Sequence, residues 1–306
     1  MTTEFRDAVI EGLSRPQKAL SPKWLYDEAG SELFAEITGV PEYDLPARER
    51  AVMDEALPAL ATSMRGAAVA EFGIGSGEKS IALIEAVWPP LYVPLDISET
   101  ALAGAADQMR ARFDGLRVEP VAADFTKPLA LPDAFAASAR RLGFFPGSTI
   151  GNFDDEDAVS FMAACAETLG GGARFLVGAD LVRDVDAMIA AYDDAGGVTA
   201  RFDLNLLTRI NWEVGADFDL SRFRHEARWN AGRGRIEMHL VSALPQQVTV
   251  AGRTFAFAEG ESLHTESSHK YTVAGFEGLA AKAGWRTEQA WTDDEETFAV
   301  FLLATA

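Results

Sequence analysis

A single cysteine, Cys165, stands among 306 residues, and this scarcity excludes an internal disulfide framework and any metal site built from several thiolates. Its surroundings, AVSFMAACAETLGGG, have the apolar spacing of a helix, so a buried core thiol is expected rather than a nucleophile. Basic side chains are also few: 27 Lys and Arg against 47 Asp and Glu leave a formal net charge of -20. Such a surface repels a phosphate backbone and gains nothing from counterion release, which argues against a nucleic-acid partner. Long apolar runs are missing too, since none approaches the roughly 20 residues that span a bilayer. The start, MTTEFRDAVIEGL, has no basic segment leading into an apolar one. A soluble, cytoplasmic, monomeric protein with no membrane partner is expected. The four histidines, His225, His239, His264 and His269, lack HExxH or comparable spacing, so no metal site is expected and each reads as a surface or packing residue.

What is present is enough apolar side chain, 48% of the residues, for one large core or a main domain with a smaller companion. From Ala68 onward, β-rich runs (AVAEFGI, LYVPLDIS, LRVEPVAADF, RLGFFPGSTI, ARFLVGADL) alternate with helical ones (EKSIALIEAVW, ETALAGAADQMRARF, DEDAVSFMAACAETL). That alternation predicts a doubly wound α/β domain with parallel strands. Near the end, VAGFEGLAAKAGW reads as a helix stopped by Gly284, and RTEQAWTD and TFAVFLLA as two strands. Their connection is too short for a parallel crossover, so this pair is expected to be antiparallel. By fold analogy, a sheet with one reversed strand resembles the class I methyltransferase arrangement, a Rossmann-like sheet of seven strands. Residues 61–182 and 271–306 are assigned to it. Residues 1–60 and 183–270 fall outside the alternation and are expected to pair into a smaller α+β domain that binds substrate.

Gly73, Gly75 and Gly77 sit where the first of these strands turns into a helix. Glycines there let the backbone approach a ligand and supply positive φ. A dinucleotide fingerprint places its third glycine three residues after the second, where this chain has Glu78. The spacing therefore favours S-adenosylmethionine (SAM), which has no phosphate, over a nicotinamide dinucleotide, although a purely structural glycine turn also satisfies it. Asp96 closes the next strand, about 20 residues on, where an acid accepts from ribose hydroxyls; the alternative is a helix cap, which Ser98 suits better. Asp124 and Phe125 end the third strand, placed for the adenine amino group and ring, with a plain surface acid as the alternative for Asp124. Gly147, Asn152 and Phe153 end the fourth, facing an acceptor; Asn152 reads equally as a cap for DDEDAVSF.

The segments SPKWLYDEAGSELFAEIT, PEY, EFGIGSGEKS, YVPLDIS, FFPGSTIGNF, AYDDAGGVTARFDLNLLTRIN, IEMHLVS and HTESSHKY span essentially the whole chain. On them the sequence resembles the ergothioneine-pathway L-histidine Nα-methyltransferase family. The resemblance implies SAM-dependent trimethylation of the α-amino group of histidine to the betaine hercynine. It implies Gly73, Gly75 and Lys79 in the donor loop, Asp96 at the ribose, and Asp124 with Phe125 at the adenine. For the acceptor it implies Tyr26, Tyr43, Gly147, Asn152, Tyr192, Met238, Glu266 and Ser268. Among these, Asn152 and Tyr192 would hold the carboxylate, Glu266 and Ser268 the imidazole, and Tyr26 the reacting amine as the catalytic residue. A carboxylate and a hydroxyl two residues apart on an extended segment point to one side, which suits the two nitrogens of an imidazole.

Two stretches depart from the family pattern. PEYDLPARER carries Asp44, Pro46 and Ala47 where a Thr-Arg pair is usual, and His269 replaces a tyrosine. Asp44 is expected to affect the pocket rim or closure of the N-terminal segment, and His269 the packing behind Glu266. Competing readings are a nicotinamide oxidoreductase, which lacks its third glycine, a SAM-binding scaffold without catalysis, and the same chemistry on tryptophan or tyrosine. Glu266 and Met238 discriminate the last, because an indole calls for a smaller, apolar wall.

Overall fold

The computed structural model describes residues 3–74 and 77–305. The chain divides into two compact units, Met1–Pro46 with Val182–Lys270, and Ala47–Leu181 with Tyr271–Ala306. In chain order the strands are β1 (Ala68–Phe72), β2 (Leu91–Asp96), β3 (Arg117–Val118), β4 (Val121–Ala122), β5 (Arg141–Phe145), β6 (Arg174–Asp180), β7 (Phe223–Asn230), β8 (Arg235–Ser242), β9 (Gln246–Val250), β10 (Arg253–Phe257), β11 (Ser262–His269), β12 (Trp285–Thr292) and β13 (Phe298–Thr305). Among the described residues, no helix is long and apolar enough to cross a membrane.

The Ala47–Leu181 and Tyr271–Ala306 unit is built on one sheet, in the order β12-β13-β6-β5-β1-β2-β3, with β4 also paired to β2. Neighbouring strands from β6 to β3 are parallel, whereas β13 runs antiparallel to β6 and β12 antiparallel to β13. The reversal follows from the connection. Asp293 accepts from the backbone N–H of Thr297 at 2.5 Å and of Phe298 at 3.1 Å, which ties the chain into a tight turn. This is the class I methyltransferase fold expected from the sequence, a mostly parallel sheet with one reversed strand. The central strands β1, β5, β6 and β13 are almost wholly buried, as strands covered on both faces are; all five residues of β1 are buried. Cys165 lies in this core as expected, where burial pushes its thiol well above the ordinary value.

Two expectations need correcting. The third strand, read as LRVEPVAADF, is two short strands, β3 and β4. Pro120 has no N–H to give the ladder, so pairing stops after Glu119 N–H reaches the Tyr92 carbonyl at 3.0 Å and resumes at Val121. The fourth ends at Phe145, since Pro146 and the positive φ of Gly147 lead into a 3-10 turn, Thr149–Asn152. The compact unit that starts at Ala47 takes in most of the helix Leu45–Ser63.

The Met1–Pro46 and Val182–Lys270 unit holds a three-stranded antiparallel sheet, β11-β8-β7, and the hairpin β9-β10. The hairpin turns on Ala251 and Gly252, both at positive φ, as a two-residue turn between right-twisted strands requires. Helices Thr3–Ser14 and Val198–Val214 bury Phe5, Val9, Phe202, Leu206 and Ile210 against Met238, Leu240 and Leu263 of the sheet. The β11–β8 ladder has one irregularity, between His264 and Glu266, where Thr265 is left out of register and donates instead to the Met238 carbonyl at 3.1 Å. Such a bulge resets the alternation of faces. Beyond it Glu266 pairs with Met238 and Ser268 with Ile236, so Glu266 and Ser268 share one face.

Candidate functional site

The donor-side residues line the carboxyl edge of the parallel sheet. Gly73 follows β1 at a φ of 76°, its N–H bound to the Leu95 carbonyl of β2 at 2.8 Å. A Cβ built there would stand 3.4 Å from the Phe125 ring, an ordinary contact, so the positive φ rather than crowding is what favours glycine at 73. Gly77, also at positive φ, caps the helix Glu78–Val87; Gly75 lies outside the described residues. Asp96 ends β2, and one of its oxygens accepts the Ser98 N–H at 2.9 Å. Asp124 follows β4 and accepts from the Thr126 N–H at 3.1 Å and its hydroxyl at 2.6 Å. Phe125 is half-buried and leans edge-on against Phe72, Phe145 and Phe161. These strand ends are neighbours through the β1–β2 and β2–β4 pairings.

Lys79 opens the same helix and pairs with Glu49 at 2.5 Å. The other oxygen of Glu49 accepts the N–H of Gly147, so one buried carboxylate ties the glycine loop to the turn after β5. Glu49 sits in a helical run with no local motif, and nothing in the sequence pointed to it. Asn152 ends the 3-10 turn and is not the cap of the following helix Asp155–Leu169, whose N-cap is Asp154. Phe153 stacks on Phe161 at 5.1 Å. Below the glycine turn, Glu71 is fully buried and accepts from Ser80 at 2.5 Å and Tyr92 at 2.6 Å. Burial raises its carboxyl to about 7, against the hydrogen bonds from Ser80 and Tyr92 that lower it.

Gly147 and Asn152 belong to this unit; the other acceptor candidates are in the Met1–Pro46 and Val182–Lys270 unit, which brings them together. Tyr43 meets Tyr192 edge-on at 6.0 Å, and Tyr26 meets Phe34 and Phe202, each at 5.5 Å. Tyr192 donates to Ser268 at 2.7 Å. Met238 is buried in the apolar cluster with Phe202 and Leu240 and stands beside Glu266 across the ladder, a floor rather than a polar contact. Of the departures from the family pattern, Asp44 accepts from both terminal guanidinium nitrogens of Arg183, at 2.8 and 3.1 Å. His269 pairs with Arg235 on the face opposite Ser268, which puts it behind the site.

The electrostatics of this cluster favour neutral groups. Burial, reinforced by the Asp203 charge and only partly offset by Lys270, raises the Glu266 carboxyl to about 8. Tyr26 opens 38% of its surface to solvent, yet the protein around it and the nearby Glu266, Tyr43 and Tyr192 hold its phenol well above the ordinary value. The exposure tempers the size of that shift, not its sign. Asp203 pairs with His225 at 2.7 Å, and the other ring nitrogen of His225 meets the Tyr192 carbonyl at 2.7 Å. Both partners are acceptors, so both ring nitrogens carry protons and His225 is an imidazolium. It thereby fixes the backbone from which Tyr192 projects. In the sequence alone His225 reads as a surface or packing residue, because its partners lie 22 and 33 positions away.

A family profile described as histidine-specific methyltransferase, SAM-dependent, matches residues 5–305. The sequence is 38% identical to the histidine N-alpha-methyltransferase of Mycolicibacterium smegmatis, over 97% of this chain and 94% of that protein. It is 36% identical to the Mycobacterium tuberculosis protein of the same name, over 98% and 94%. It is also 25% identical to ergothioneine biosynthesis protein 1 of Schizosaccharomyces pombe, over 86% of this chain and 36% of that longer protein.

Proposed function

We propose, since the chain belongs to the histidine-specific, SAM-dependent methyltransferase family, that it trimethylates the α-amino group of free L-histidine and yields the betaine hercynine for ergothioneine synthesis. The observation that carries the acceptor half is the bulge at Thr265, beyond which Glu266 and Ser268 share one face of β11. A buried acid and a hydroxyl at that spacing suit the two nitrogens of an imidazole, whereas an indole, with one N–H and no ring lone pair, would leave one of the two unpaired at a cost of about 1–3 kcal/mol.

The donor half fits SAM. The left-handed turn at Gly73 and the two acids ending β2 and following β4 suit a nucleoside without phosphates, with Asp96 at the ribose and Asp124 and Phe125 at the adenine. When bound, SAM supplies a methyl group on a cationic sulfur. The chain's own work is placement, and alignment of amine and methyl accounts for most of the acceleration. Asn152 is assigned to the substrate carboxylate, because the one proton of the Tyr192 hydroxyl already goes to Ser268. Tyr26 holds the amine nitrogen by a hydrogen bond, and its raised phenol makes it a poor base, so the amine proton leaves to water. The rings of Tyr26, Tyr43 and Tyr192 offer their faces to the cation that grows with each methylation.

Purified protein incubated with SAM and, separately, histidine, tryptophan and tyrosine is expected to add three methyl groups to histidine alone, followed by mass spectrometry. Methylation of another amino acid, with histidine untouched, overturns the acceptor reading; SAM binding without any methylation leaves a scaffold. For the donor half, Asp96→Ala is expected to weaken SAM binding about tenfold in calorimetric titration, the loss of one charge-assisted hydrogen bond. Unchanged affinity would mean that Asp96 only holds the Ser98 turn.

A further inference from the structure

Lys270 follows β11 and is 5% exposed. Its Nζ donates to Tyr192 Oη at 2.9 Å and to Ser268 Oγ at 2.9 Å, while Tyr192 Oη donates to Ser268 Oγ at 2.7 Å. The ammonium also lies 4.6 Å from the centre of the Tyr192 ring, which holds the phenol from a second side. A hydroxyl has two lone pairs and one proton, and an ammonium can only donate. Ser268 Oγ therefore accepts twice, and what remains for a ligand is its own proton.

We propose that Lys270 is a positioning residue that holds the Tyr192–Ser268 pair with the Ser268 proton turned outward, so that the acceptor pocket takes a neutral imidazole and disfavours an imidazolium. The proposal rests on the histidine reading above. A neutral ring offers one lone pair, which meets Ser268, and one N–H, which meets Glu266. An imidazolium offers two N–H groups and sets a donor against a donor, with the Lys270 charge behind it.

The consequence can be counted in protons. The titratable groups facing this corner include Tyr26, Tyr43, Tyr192, Asp203, His225, Glu266 and Lys270 itself. Tyr26 stays protonated and His225 stays paired with Asp203. Glu266, held near 8 in the free protein, accepts the ring N–H more strongly as a carboxylate than as a neutral carboxyl, so the bound ring draws its proton off. Binding of a neutral ring near neutral pH thus releases one proton to solvent. Binding as an imidazolium–carboxylate pair releases none, because the Glu266 proton passes to the ring.

The test is calorimetric titration near neutral pH, in two buffers of different ionisation enthalpy, of N,N,N-trimethylhistidine into the full-length protein with S-adenosylhomocysteine. This ligand has no amine proton of its own, so the release reports the ring and Glu266. About one proton per bound ligand is expected from the unmodified protein. Lys270→Met, of similar length without charge, is expected to weaken binding about tenfold and to bring the release toward zero. Ser268→Ala, with Lys270 in place, is expected to do the same. Release near zero in the unmodified protein overturns the proposal, as does weaker binding in both variants with release still near one, which would reduce Lys270 to packing. A protein that neither binds trimethylhistidine nor methylates histidine removes the histidine reading and this proposal with it.

Discussion

Glu266→Ala lowers kcat/KM for histidine about hundredfold, the equivalent of about 3 kcal/mol for a charge-assisted hydrogen bond lost from a closed site. Glu266→Gln keeps the shape and one acceptor oxygen, so its loss is nearer tenfold, and both effects fall mainly on KM. The stability of the same variants moves the other way. A carboxyl raised from 4.5 to about 8 in the folded protein contributes its stability fully below 4.5 and loses it as pH rises through about 8. The unmodified protein is therefore penalised for ionising Glu266, and Glu266→Gln removes the penalty. Steady-state kinetics with urea unfolding from mildly acidic to alkaline pH check both halves. The variant should be slower on histidine yet more resistant to urea, with the gap widening toward pH 8. A variant that keeps its KM denies Glu266 the imidazole, and one equally sensitive to urea throughout denies it the burial cost.

The parallel sheet was legible because strands covered on both faces read as unbroken apolar runs, and because glycines and acids mark their carboxyl ends. AVAEFGI and ARFLVGADL became β1 and β6 almost unchanged. The same signal overran at Pro120, where apolar character continued but hydrogen bonding could not. In the Met1–Pro46 and Val182–Lys270 unit, resemblance supplied the proposed acceptor residues, and alternation along HTESSHKY supplied the shared side of Glu266 and Ser268. What stayed hidden were pairings between distant positions. The bulge at Thr265 is visible only against β8, Glu49 acquires meaning only beside Lys79 and Gly147, and Lys270 reads as an ordinary surface lysine until Tyr192 is next to it. Charged residues buried by partners far along the chain leave no periodic trace.

His225 and Asp203 are such a pair, and breaking it has the largest expected effect on stability. Their side chains are 1% and 0% exposed, so neither charge has water to fall back on. Removing one partner of a buried pair strands the other, at a cost of about 3–5 kcal/mol. Asp203→Asn is expected to destabilise the protein by that order near pH 6, measured by urea unfolding. Burial alone would lower the His225 value, but its hydrogen bond and charge interaction with Asp203 prevail and hold it above the ordinary 6.5. Its contribution is complete below 6.5 and is lost as pH rises through the folded value, so the gap between the two proteins should narrow in alkaline solution. A gap independent of pH would mean that His225 is neutral and the contact an ordinary hydrogen bond. The variant also reaches the acceptor pocket, since Asp203 is the charge that adds to burial in raising Glu266. With asparagine there, Glu266 ionises at lower pH, and fewer protons are released when trimethylhistidine binds near neutrality. Loss of stability with an unchanged release would separate the two roles and leave burial alone as the cause of the Glu266 shift.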